Sequence, residues 1–176
     1  PGITDPNDGH LLKLVIEGHE RAARNNPCAS TTACLTAMYG SGQLTNAIAS
    51  AILTLGEAHG PVTQARDVYE NGIGKYRGKI PGFGNSFYKD GIDPAWNEVV
   101  EFINKTFEGM SDHIKELTSA VWLQTGRQLH PNASLLTGAT ASKLHFRHGT
   151  ELSIPIAARL GVWIDLATTY SPSGTQ

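Results

Sequence analysis

From Ser30 to Gly56 the chain reads STTACLTAMYGSGQLTNAIASAILTLG. Ala, Leu, Thr and Ile dominate the stretch, and the break in it is Gly40-Ser41-Gly42. Small side chains let helices approach closely, and paired glycines end a helix. The spacing therefore predicts two buried helices forming a hairpin. On the N-terminal side, Leu11, Leu12, Leu14, Val15, Ala22 and Ala23 recur at three- and four-residue steps, with Asp8 as the expected N-cap. On the C-terminal side, Pro61 to Tyr69 carries Val62, Ala65 and Val68 on one face. Asp93-Pro94 opens a longer pattern through Trp96, Val99, Val100, Phe102 and Ile103, and further helices are predicted over 111–125, 133–143 and 156–168. Alternating strand patterns are scarce, so the fold class is all-α, as a single domain over 1–176. The exception is 72–91, where six glycines and one proline in twenty residues describe a loop with a demanding backbone.

Composition removes several function classes. The 176 residues can bury a core without cross-links. Cys28 and Cys34 belong to no metal-ligand or secretory pattern, so a reduced, cytoplasmic setting is expected. A formal net charge of −2 lacks the basic excess of a nucleic-acid binder. Apolar runs such as Ala47 to Leu55 contain Ser50 and Thr54 and fall short of the ~20 residues that cross a bilayer.

Four places carry chemistry. His59 sits in Gly56-Glu57-Ala58-His59-Gly60-Pro61, between two helical segments, where an imidazole can donate or accept a proton. The alternative is a surface histidine without a role. The run Lys79-Ile80-Pro81-Gly82-Phe83-Gly84-Asn85-Ser86-Phe87-Tyr88-Lys89 offers glycine amides and flanking lysines to a nucleotide or pyrophosphate, although it matches neither a dinucleotide fingerprint nor a P-loop. A plain surface turn explains it equally well. Arg159 lies inside the apolar run Ile154 to Leu166, where a guanidinium needs an anionic ligand, a pairing with Asp165, or solvent. His145 and His148 lack the further ligands of a zinc site, and no metal is expected.

The order of these pieces resembles the citrate synthase family, including its citryl-CoA lyase branch. The resemblance spans roughly Asn25 to Trp163. It rests on Ala29-Ser30-Thr31, Ala58-His59-Gly60, Pro81-Gly82-Phe83-Gly84 with Tyr88-Lys89, Asp93-Pro94, and Ala158-Arg159 with Trp163. It implies a citrate synthase-like helical domain, the small domain plus part of the large-domain core, shortened at the N-terminus relative to the family. It implies a homodimer or higher homo-oligomer, with coenzyme A or an acyl-CoA as ligand. By the same resemblance, His59 polarises the thioester carbonyl. Pro81, Gly82, Phe83, Gly84 and Lys89 cradle CoA, and Arg159 pairs with a substrate carboxylate.

Four departures qualify that expectation. Asn85 stands where the family has its second catalytic histidine, and an amide does not titrate near neutral pH. Ser134 stands where the family has the aspartate that removes the α-proton, and an unassisted hydroxyl is a poor base. Ala95 replaces an arginine, and the family's histidine ahead of the Ala-Ser-Thr run aligns with Asn25. Loss of a general base alone costs ~10²–10⁴ in rate. The expectation is a protein that binds CoA or an acyl-CoA with citrate formation lost or altered. The alternatives are a structural or assembly protein on the same fold, and an active citrate synthase or citryl-CoA lyase relative.

Overall fold

The computed structural model describes residues 3–25 and 28–169. Eight α-helices occur among them: α1 Pro6–Asn25, α2 Ala29–Ser41, α3 Leu44–Leu53, α4 Val62–Asn71, α5 Asn97–Thr106, α6 Glu108–Thr125, α7 Ala133–Lys143 and α8 Ser153–Thr169. A single 3₁₀ turn, Pro94–Trp96, leads into α5. No strand is present among the described residues; the one isolated bridge joins Phe83 to Pro131.

The glycine break in the opening stretch ends α2 as its composition demands. Gly42 takes φ +63° and donates its N–H to the Met38 carbonyl, closing the helix in a left-handed cap. The resulting α2–α3 hairpin is buried on one side only, a correction to the expectation of two buried helices. Cys34, Met38, Ala47 and Ala51 pack with Trp163 and Ala167 of α8, whereas Tyr39 and Leu53 stay 77% and 84% exposed. Helix α1 begins earlier than its apolar spacing suggests. Asp5 accepts the Asn7 N–H at 2.8 Å and Pro6 fills the first helical position, so Asp8 is not the cap and lies 3.1 Å from Lys143 instead. The helix expected after Asp93 ends at Thr106 and the next begins at Glu108, earlier than 111, because Phe107 alone leaves helical geometry between them, at φ −126° and ψ 67°.

Two clusters hold the remainder. Leu11, Leu14 and Val15 of α1 meet Trp96, Val99, Ile103 and Leu136. Val68, Ile80, Phe83, Leu117, Val121 and Leu135 form the second, and it fixes the glycine-rich segment against α4, α6 and α7. Helices α4 and α7 cross where Gly138 has no side chain: a Cβ there would lie 2.6 Å from the Arg66 backbone nitrogen. Arg66 in turn donates to Glu151 at 2.7 Å, to Glu70 at 2.7 Å and to the Phe146 carbonyl at 2.8 Å, tying α4 to the segment that leads into α8. No helix among the described residues is long and apolar enough to cross a membrane.

Candidate functional site

Three chain segments that are distant in sequence converge because of glycine. In the loop, Gly82 and Gly84 adopt φ +87° and +80°, conformations that L side chains rarely adopt. A Cβ on Gly82 would stand 2.9 Å from the Leu135 Cβ and 3.2 Å from that of Ala65, so the position also lets the loop press onto α4 and α7. Backbone bonds then lock it. Asn132 N–H donates to the Gly82 carbonyl at 2.9 Å, Gly84 N–H donates to the His130 carbonyl at 2.8 Å, and the Asn132 side-chain amide donates to the Gly84 carbonyl at 2.8 Å. Asn132 also caps α7, its Oδ1 accepting the Ser134 N–H at 2.9 Å. One asparagine thus sets the loop and the first turn of α7 in register.

The His59 junction closes over the same place. Gly56 N–H donates to the His59 carbonyl at 2.9 Å, and Gly60 turns the chain at φ +75° into α4. His59 Nε2 lies 3.2 Å from Ser30 Oγ and 3.4 Å from the Ser30 backbone N–H, which binds the ring to the first turn of α2.

Between these segments lies a cleft of about 430 Å³. Its lining includes His59, Pro81, Gly82, Gly84, Asn85, Ser134 and Arg159, all singled out from sequence, together with Lys79 and Cys28. Two others lie elsewhere. Phe83 is 4% exposed and belongs to the core beneath the loop, and Lys89 is exposed and outside the lining. Lys79, not Lys89, is the lysine that lines the cleft.

Arg159 is the electrostatic centre. It is 7% exposed, and its Nε and Nη1 have no hydrogen-bond partner. Its Nη2 lies 3.3 Å from His19 Nδ1, and His19 Nε2 lies 2.8 Å from Thr137 Oγ1. Burial holds His19 well below the usual imidazole range, and the Arg159 charge adds to the effect. The ring is therefore neutral, accepting from Arg159 at Nδ1 and donating at Nε2. Asp165, the pairing partner considered from sequence, is bound to Arg24 at 2.7 Å. A buried guanidinium with two unpaired donors is costly unless something compensates its charge, and Arg159 lines the cleft.

His19 is not singled out by the sequence reading, and the position aligned with the family's histidine, Asn25, is exposed at the end of α1. A signal for His19 does exist: Leu11, Val15, His19 and Ala23 follow at steps of four on the buried stripe of α1. Cys28 escapes the sequence reading as well. It occupies the extended N-cap position of α2, with Sγ 3.3 Å from Ser30 Oγ and 3.4 Å from Thr31 Oγ1. Burial would raise this thiol, but hydrogen bonds with His59, Ser30 and Thr31, and the charge of Arg159, bring it down from 9.0 to about 5. Among the described residues, no group of three His, Cys, Asp or Glu side chains is placed to hold a metal ion.

Similar solved structures are found. The structure of citryl-CoA lyase from Hydrogenobacter thermophilus superposes with a TM-score of 0.79 at 17% identity, covering 99% of this chain and 73% of that one. The structure of citrate synthase from Pyrobaculum aerophilum superposes with a TM-score of 0.69 at 20% identity, covering 97% of this chain and 47% of that one. No protein-family model and no curated protein sequence matches the chain. The fold is citrate synthase-like and all-helical.

Proposed function

We propose that this citrate synthase-like fold binds coenzyme A or an acyl-CoA thioester in the cleft, and that citrate formation in its standard form is lost or altered. The observation that carries the reading is Arg159, which is buried with two unpaired donors and lines the same cleft as His59 and the glycine loop. In this reading His59 donates a hydrogen bond to the thioester carbonyl and polarises it. The loop from Pro81 to Gly84 lets the ligand approach the backbone, and Lys79 supplies a point charge for its phosphates. Arg159 takes a carboxylate or other anionic group on the acyl side.

The altered chemistry follows from two positions on the cleft wall. Removing an α-proton from a thioester needs a base, and Ser134 offers a hydroxyl. Protonating a keto oxygen needs an acid, and Asn85 offers an amide. Among the described residues, Asp93 is the one carboxylate in the lining, and its Oδ1 is engaged as the cap of the 3₁₀ turn, accepting the Ala95 N–H at 3.0 Å.

Thermal unfolding with added CoA tests the reading. A ligand that binds only the native state at a hundred times its dissociation constant adds about 2.7 kcal/mol, so the melting temperature should rise by several degrees and Lys79→Ala should reduce the rise. An unchanged melting temperature at millimolar CoA would reject it. The same flat response from a stable oligomer would favour the scaffold reading.

A further inference from the structure

We propose that Cys28 is a nucleophile: its thiolate accepts the acyl group of a bound CoA thioester, giving an acyl-S-enzyme and free CoA. The inference rests on thioester binding in this cleft and adds a covalent step to it.

The placement has the parts that such a step requires. Cys28 stands on the cleft wall with His59 and Arg159, at the N-terminal end of a helix 13 residues long. Its sulfur is held between the hydroxyls of Ser30 and Thr31, and both can donate to a thiolate. A helix N-terminus and neighbouring cations are the settings that keep a cysteine ionised. His59 is in turn fixed by Ser30, so nucleophile, base and an orienting group form one connected set. The second, independent observation is Arg159. Arg159 is more than nine-tenths buried, lines the same cleft as Cys28, and has no hydrogen-bond partner at Nε or Nη1. Ser134, where the resemblance places the carboxylate base of α-proton chemistry, offers a hydroxyl, and the Cys28 sulfur is the stronger nucleophile on the same wall.

The step balances without any added oxidant or reductant. His59 takes the Cys28 proton as the Sγ lone pair forms a bond to the thioester carbonyl carbon. The carbonyl electrons move to oxygen, giving a tetrahedral oxyanion. Its collapse breaks the carbon–sulfur bond to CoA, whose departing thiolate takes the proton from His59. One thioester is exchanged for another, and excess acetyl-CoA drives the exchange forward.

The test uses the full chain with acetyl-CoA. Intact-mass measurement should show one acetyl group per chain, peptide mapping should place it on Cys28, hydroxylamine should remove it, and free CoA should appear in equal amount. Cys28→Ala and Cys28→Ser should lose the adduct, Cys34→Ala should keep it, and His59→Ala should slow its formation by ~10² or more. Two silent variants at position 28 guard against one that fails to fold, and mapping of the wild type stands without either. A protein that gains thermal stability with CoA yet forms no adduct overturns this inference and leaves the binding reading intact. An adduct that maps elsewhere, or that also forms on unfolded chain at the same rate, overturns it too. Absence of both stabilisation and adduct removes the binding reading and this one together.

Discussion

Replacing Glu151 with alanine is expected to cost the fold about 3–5 kcal/mol, the usual penalty for breaking a buried ion pair from one side. Glu151 is fully buried, with Oε1 2.7 Å from Arg66 Nη1 and Oε2 accepting from Thr63 Oγ1 at 3.4 Å. Arg66 is itself 7% exposed, so removal of this carboxylate leaves a guanidinium with Glu70 alone for charge compensation. Against a total stability of about 5–15 kcal/mol the loss is large. The same group makes stability pH-dependent. Burial raises the Glu151 carboxyl, but hydrogen bonds from its own backbone N–H and from Arg66, and the Arg66 charge, hold it below its ordinary 4.5; Glu70 is depressed likewise, with Arg66 and Ser142 as donors. A depressed carboxyl contributes its full stabilisation above the unfolded value and loses it as pH falls through the folded value. Urea unfolding at neutral pH should show the loss, and the acid limb of the stability curve should flatten in Glu151→Ala. A change below about 1 kcal/mol would contradict the assignment.

Gly138→Ala is expected to destabilise the fold as well, by less than the loss of Glu151, although alanine is the better helix former. The added Cβ would meet the Arg66 backbone nitrogen at 2.6 Å and its Cα at 2.9 Å, and backbone atoms of a packed helix cannot rotate aside. Helices α4 and α7 must part. Overpacking of that kind costs about 1–3 kcal/mol and sometimes more, which outweighs the ~1 kcal/mol that Ala gains over Gly in a helix. The displacement would also move Arg66, so this change and Glu151→Ala should not add. It would lower the floor of the cleft as well, since Leu135 of α7 and Ala65 of α4 are the residues on which Gly82 rests. Gly161→Ala is the control. Gly161 lies in α8 with nothing within 4 Å of the place an alanine methyl would take, and there alanine should stabilise. Equal effects at both sites, read by urea unfolding, would show that propensity and not packing governs position 138.

The helical fold is legible in the chain because its punctuation is local. Gly42 ends α2 by its own positive φ, and Asn132 caps α7 with its own side chain, so both boundaries follow from residues within the element. Asp8 is the wrong cap because the apolar stripe starts at Leu11, whereas the helix starts where Asp5 and Pro6 satisfy its first amides. The site is legible in part for the opposite reason: its geometry is made by contacts between segments. His59, the glycine loop and Arg159 each carry a local oddity, a histidine between glycines, positive φ, or a charge in an apolar run. His19 carries none, since a histidine on a helix stripe is distinguished only by the Arg159 and Thr137 that surround it after folding. Cys28 is likewise ordinary until α2 is placed beside the junction that holds His59. Motif position favours Lys89 over Lys79, and only the loop's docking onto 130–132 determines which lysine reaches the wall.

Equilibrium dialysis of the folded chain against labelled CoA tests the central claim most directly, because it measures retention at the cleft with no dependence on heat or turnover. One equivalent of CoA per chain should be retained saturably, displaced by unlabelled acetyl-CoA, and weakened by Lys79→Ala. Labelled CoA that equilibrates evenly across the membrane, with no excess on the protein side at millimolar ligand, would contradict the account.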